Sequence, residues 1–75
     1  MDEYKAFLLN VGQAIKTARE NAGITQAQLS RLIGTSPSAI YYYESGKVCM
    51  TAWTLRKLCD VLEASADDIL GLEDE

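Results

Sequence analysis

No histidine occurs among the 75 residues of the chain, and there are only two cysteines, one proline and one tryptophan. Without imidazole, proton transfer would fall to carboxylates, lysine, tyrosine or a thiol. No nucleophile stands beside a credible base, and no glycine-rich loop is arranged to cradle phosphate, so the pattern points away from an enzyme. Cys49 and Cys59 alone cannot supply the four Cys/His ligands of a structural zinc site, and no metal or other cofactor is expected. No apolar run is long enough to span a bilayer, and no charged-then-apolar leader precedes a small-residue cleavage site. The expectation is a cytoplasmic protein with reduced thiols and no membrane partner. Cys59 falls on an apolar helical face as a small core residue, and Cys49 falls in a loop.

Positive charge is also scarce, with seven basic residues against eleven acidic ones and a net charge of −4. The distribution matters more than the total. Asp2, Glu3, Asp67, Asp68, Glu73, Asp74 and Glu75 place seven of the acids at the two ends. Between Tyr4 and Ala66 only Glu20, Glu44, Asp60 and Glu63 remain against all seven basic residues, a local balance of +3. Such a bipolar chain can present a mildly positive face to a polyanion, with weak and salt-sensitive non-specific affinity.

What is present is helical periodicity, with hydrophobic residues at 48% and no repeat or linker, which fits one globular domain over residues 1–75. Phe7, Leu8, Val11, Ile15 and Ala18 predict a first helix over about Glu3–Asn21, capped by Asp2. A second start is open at Asn10, where Asn10-x-x-Gln13 resembles a capping box and would leave residues 1–10 as a separate arm. Helix 2 is predicted over Gln26–Ile33, with apolar residues at Leu29, Leu32 and Ile33. Helix 3 is predicted over Pro37–Ser45, helix 4 over Ala52–Leu62 after Thr51, and a short fifth helix after Ser65. Ile69, Leu70 and Leu72 are expected to close the core, and residues 73–75 to form an acidic tail. The fold class is all-α, with five helices and no strand.

The segment between Ile24 and Gly46 carries the most information. Gly34 can adopt the left-handed conformation that ends a helix abruptly. Two residues on, Ser36 can cap a new helix and Pro37 suits its first position. Two short amphipathic helices joined by so tight a turn read as a helix-turn-helix, whose second helix can enter a DNA major groove. On helix 3, Tyr43 follows Ile40 by three and is expected to face the core, leaving Tyr41 and Tyr42 outside. They either cover neighbouring apolar surface or touch a ligand. Trp53 likewise has two readings, as a lid on the core or as part of a dimer surface.

Taken together, Val11-Gly12-x-x-Ile15-x-x-Ala18-Arg19, Gly23-Ile24-Thr25-Gln26-x-x-Leu29, Ile33-Gly34-Thr35-Ser36-x-Ser38-x-Ile40, Tyr43-Glu44-x-Gly46-Lys47 and Thr54-Leu55-x-x-Leu58-Cys59-x-x-Leu62 resemble, in order and spacing, the phage-repressor-like (Cro/repressor, XRE-type) helix-turn-helix family. The match covers about residues 11–72. The resemblance implies a compact repressor-like domain that regulates transcription by placing helix 3 in the major groove of duplex DNA, commonly as a homodimer. It implies a DNA-facing set of Gln26, Ser36, Pro37, Ser38, Tyr41, Tyr42 and Lys47, with Gln26 and Lys47 on backbone phosphates. It also implies an Arg19–Glu44 ion pair joining helix 1 to the end of helix 3, and no small-molecule ligand. One departure stands out: residues 37–43 contain no Arg, Lys, Gln or Asn, the side chains that read bases by paired hydrogen bonds. DNA shape and dimer spacing would then carry much of any preference. The competing function on this fold is a protein-interaction module, such as an antitoxin or anti-repressor partner.

Overall fold

The computed structural model describes residues 2–72, which form α1 (Glu3–Asn21), α2 (Gln26–Ile33), α3 (Pro37–Glu44), α4 (Ala52–Leu62) and α5 (Ala66–Leu70). The expected acidic tail, 73–75, lies outside the described residues. Each helix opens on a side-chain cap that takes up an otherwise free backbone N–H. Asp2 accepts from the Lys5 N–H at 2.7 Å, and α1 then runs unbroken past Asn10. The rival start at Asn10 is therefore not used, and residues from Glu3 onward belong to α1 rather than to an arm. Thr25 and Gln28 form a reciprocal capping box at α2, with bonds of 3.0 and 2.8 Å. Ser36, Thr51 and Ser65 cap α3, α4 and α5 by the side-chain oxygen alone, which accepts from a first-turn backbone N–H.

Val11 and Ile15 of α1 meet Leu29 and Ile33 of α2, Ile40 of α3, Leu58 and Leu62 of α4 and Ile69 of α5 in one core. Helix α1 packs on α3 and α5, while α2 packs on α3 and α4. Gly34 ends α2 at φ 75°, ψ 39°, a left-handed cap that a β-carbon would disfavour. The turn is also held from outside: Lys57 of α4 donates from Nζ to the Ile33 carbonyl at 2.9 Å. A free carbonyl at the end of α2 thus gains a charged donor.

Several expectations are corrected. Helix α3 ends at Glu44, one residue early, because Ser45 already serves as its C-cap. Leu32 is exposed rather than part of the inner face of α2. At 3.6 residues per turn it lies roughly a third of a turn from the Leu29–Ser30–Ile33 side. Ser30 takes the buried place, its hydroxyl donating to the Ala27 carbonyl at 2.7 Å. Trp53 is no lid on the core; it is 66% exposed, five residues before Leu58 and hence on the opposite side of α4. The Lys57 ammonium lies 5.7 Å from its ring centroid. Leu72 is exposed because the left-handed Gly71 turns the chain off α5, and half-buried Leu70 packs on the core instead. Cys59 is partly buried against the core, and burial, with nearby Asp60, pushes its thiol up. Cys49 is exposed, in the α3–α4 loop.

One glycine sets how closely α1 and α3 approach. A β-carbon on Gly12 would sit 2.5 Å from the backbone carbonyl oxygens of both Tyr43 and Glu44. Neither oxygen belongs to a flexible side chain, so the helices themselves would have to separate. Gly12→Ala is expected to lower stability by about 2 kcal/mol, and the melting temperature by roughly 10 °C, despite alanine's better helix propensity. Thermal unfolding by circular dichroism measures it; an unchanged midpoint would mean that the contact is soft.

Candidate nucleic-acid interface

The outer face of α3 follows from its inner one. Ile40 is fully buried, and Ala39, Tyr43 and Glu44 turn inward with it. The same helical repeat forces Ser36, Pro37, Ser38, Tyr41 and Tyr42 outward, and all five are exposed. Ser38, Tyr41 and Tyr42 stand at i, i+3 and i+4, so they form one continuous patch. Tyr41 and Tyr42 pack edge to face with ring centroids 5.7 Å apart, which restricts both rings. No other part of the described chain covers this patch. Lys47 follows in the exposed loop, one residue beyond the Gly46 turn, and is also open to solvent.

Not every proposed contact is idle in the free protein. The Ser36 hydroxyl oxygen accepts from the Ala39 N–H at 3.1 Å as the cap of α3, which leaves its own proton available to a phosphate. Gln26 is tied inward: its Nε2 donates to Glu44 Oε1 at 3.0 Å. The sequence pattern did not foretell this bond, since it joins residues 18 positions apart. One Nε2 hydrogen and the amide oxygen stay free.

Glu44 is the hub that fixes α3. Arg19 donates to it twice, from Nε to Oε2 at 2.6 Å and from Nη2 to Oε1 at 3.1 Å. Its third nitrogen, Nη1, donates to the Ile24 carbonyl at 2.8 Å in the α1–α2 turn. The two side chains are only 11% and 4% exposed, so the Arg19–Glu44 link is a largely buried pair, with Glu44 the deeper partner. Its hydrogen bonds to Glu44 raise the Arg19 pKa above an already high value, against the opposing effect of burial. A basic group with a raised pKa contributes its full stabilisation below its unfolded pKa, so the Arg19 charge is in place at every pH below that value. With Gln26 added, one carboxylate joins α1, α2 and α3.

Removing one partner of such a pair strands the other charge, which typically costs about 3–5 kcal/mol, whereas replacing both by apolar groups is far milder. Arg19→Met and Glu44→Leu are therefore each expected to be strongly destabilising, and the double variant to regain much of the loss. The coupling energy in urea unfolding should be about 2–3 kcal/mol. Additive losses would show that the two side chains do not act as a unit.

Comparison with known proteins agrees with this geometry. The profile of the family described as "Helix-turn-helix domain" matches residues 10–71. The transcriptional repressor RstR of cryptic phage CTXphi in Vibrio cholerae is 33% identical over 63 residues. The match takes in 84% of this chain and 56% of RstR, so the chain spans about half the length of that curated relative. Among solved structures, the restriction-modification controller protein C.AhdI from Aeromonas hydrophila superposes with a TM-score of 0.83. That likeness covers 91% of this chain and 99% of C.AhdI at 24% identity, and it speaks to the fold. The P22 c2 repressor, solved with a synthetic operator, gives a TM-score of 0.78 at 28% identity over 84% of this chain and 96% of its own. The clp gene regulator ClgR from C. glutamicum gives 0.81 at 26% identity, covering 85% and 82%. By the family match over residues 10–71, and by its two short helices meeting at Gly34, the chain belongs to the helix-turn-helix domain family.

Proposed function

We propose that this chain is a sequence-specific DNA-binding transcriptional regulator, repressor-like in action, that works in the cytoplasm by occupying operator DNA rather than by catalysis. The observation that carries this reading is the open face of α3, rigidly backed by Ile40 and the Glu44 hub and left uncovered by the rest of the described chain. In the groove, Ser38 and Tyr42 meet base edges, Pro37 packs against a thymine methyl, and Ser36, Gln26 and Lys47 meet phosphates on either side. Lacking a bidentate base reader on α3, one copy discriminates poorly. The regulator therefore acts as a homodimer on a palindrome, with two half-sites supplying affinity and spacing.

Selection of bound duplexes from a random pool at low salt tests this directly. The expected result is enrichment of a palindrome, and an affinity that falls linearly on a log–log plot against salt. No retardation of any duplex, together with salt-insensitive capture of a protein ligand, would instead favour an interaction module, with exposed Leu32 and Trp53 as its contact surface. Tyr42→Ala is expected to weaken binding to the selected site by about tenfold, in the range of a lost stacking or base contact. Its melting temperature should stay nearly unchanged, because the ring is exposed.

A further inference from the structure

Beside the Glu44 hub lies a cleft of about 110 Å³, open to solvent and lined by Lys16, Gln26, Tyr41, Glu44 and Ser45. Three helices build it. Lys16 stands one turn before Arg19 on α1, Gln26 is the first residue of α2, and Tyr41 lies one turn before Glu44 on α3. Lys16 makes no ion pair among the described residues and is exposed. Both Glu44 oxygens on the cleft floor are already engaged by Arg19 and Gln26, and its charge is balanced by the guanidinium. The cleft is thus not anionic in effect: its uncompensated charge is the Lys16 ammonium. Its open donors are the three hydrogens of Lys16 Nζ, the second hydrogen of Gln26 Nε2 and the Tyr41 hydroxyl. An ammonium and two neutral donors around a space larger than one water suit a tetrahedral oxyanion.

We propose that this cleft holds a single DNA backbone phosphate, with Lys16 and Tyr41 as contacts beside Gln26. The bond to Glu44 aims the Gln26 amide into the cleft before DNA arrives, so its side-chain entropy is already spent. Tyr41 thereby acts on the phosphate side of α3, while Tyr42, one residue on and edge-packed against it, remains with the bases. This inference rests on the DNA-binding reading above and adds to it a site that the sequence pattern did not single out in Lys16.

The test uses the full chain and a duplex of arbitrary sequence at low salt, since a phosphate contact is blind to sequence. Lys16→Ala is expected to weaken binding about three- to tenfold and to reduce the slope of log affinity on log salt by about 0.9, one phosphate's worth. Tyr41→Phe removes only the hydroxyl and should weaken binding about threefold with no change of slope, as the loss of one neutral donor to an anion. Because the three donors share one phosphate, Lys16→Ala combined with Gln26→Ala should lose less than the product of the single losses. Lys16 and Tyr41 are exposed, so unchanged melting temperatures for those variants certify the fold. If the unaltered chain binds duplex but Lys16→Ala keeps both affinity and slope, the cleft is wrong and the DNA-binding reading stands. Strictly multiplicative losses for Lys16→Ala and Gln26→Ala would also overturn the shared site. If the unaltered chain binds no duplex at low salt, both fall together.

Discussion

The carboxylate of Glu44 is the fixed point of this molecule. Short side-chain bonds from Arg19 and Gln26 converge on it, and Arg19 reaches on to the Ile24 carbonyl. Burying a carboxylate is costly unless its lone pairs are filled and its charge matched, and here both conditions are met. Apolar side chains of similar volume could hold the helices together as firmly, but they would not fix the rotation of α3 about its axis. A forked guanidinium against a carboxylate does so, because it works only in one relative orientation. The outward aim of Ser38, Tyr41 and Tyr42 is the consequence at the other side of the same short helix.

Helices α2 and α3 have eight residues each, well below the length at which a helix persists alone in water. They exist because their ends are closed and their inner faces are buried. The Thr25–Gln28 box, the Ser36 cap and the left-handed Gly34 close the ends from within the unit. Lys57 closes the last carbonyl of α2 from α4, and Gly12 lets α1 lie directly on the end of α3. The helix-turn-helix is therefore a surface feature of the whole domain rather than a self-standing motif.

For a protein with net charge −4, the proposed binding to DNA depends on where the charges lie. Asp67 and Asp68 ride on α5, which packs on α1 and α4, whereas α3 packs on α1 and α2. At α5 they also complement the positive end of the helix dipole, so they serve stability where they stand. The α3 face itself is neutral and aromatic. In the proposed complex its positive charge toward phosphates would come from its flanks, at Lys47 and Lys16. On the proposed reading, this division would leave the long-range attraction modest and place more of the discrimination on duplex shape and half-site spacing.

Five helices, their caps and the Gly34 turn were readable in the chain because they depend on neighbours three or four residues apart, where periodicity and capping residues act. The inward Tyr43 and outward Tyr41 and Tyr42 followed from the same repeat. Leu32 and Leu72 were misjudged, and the two readings of Trp53 stayed open, because apolar character alone does not say which helical side meets a neighbour; packing settles that, and it leaves Trp53 exposed. The Arg19–Glu44 pair was legible only through resemblance. The Gln26–Glu44 bond, the Lys57 clamp on Ile33 and the cleft around Lys16 were not legible at all. Each joins residues 18 or more positions apart or on three separate helices, and sequence spacing carries no distance information over such separations. Local physics chose the elements, and the closure of α1 onto α3 decided which of their polar atoms would meet.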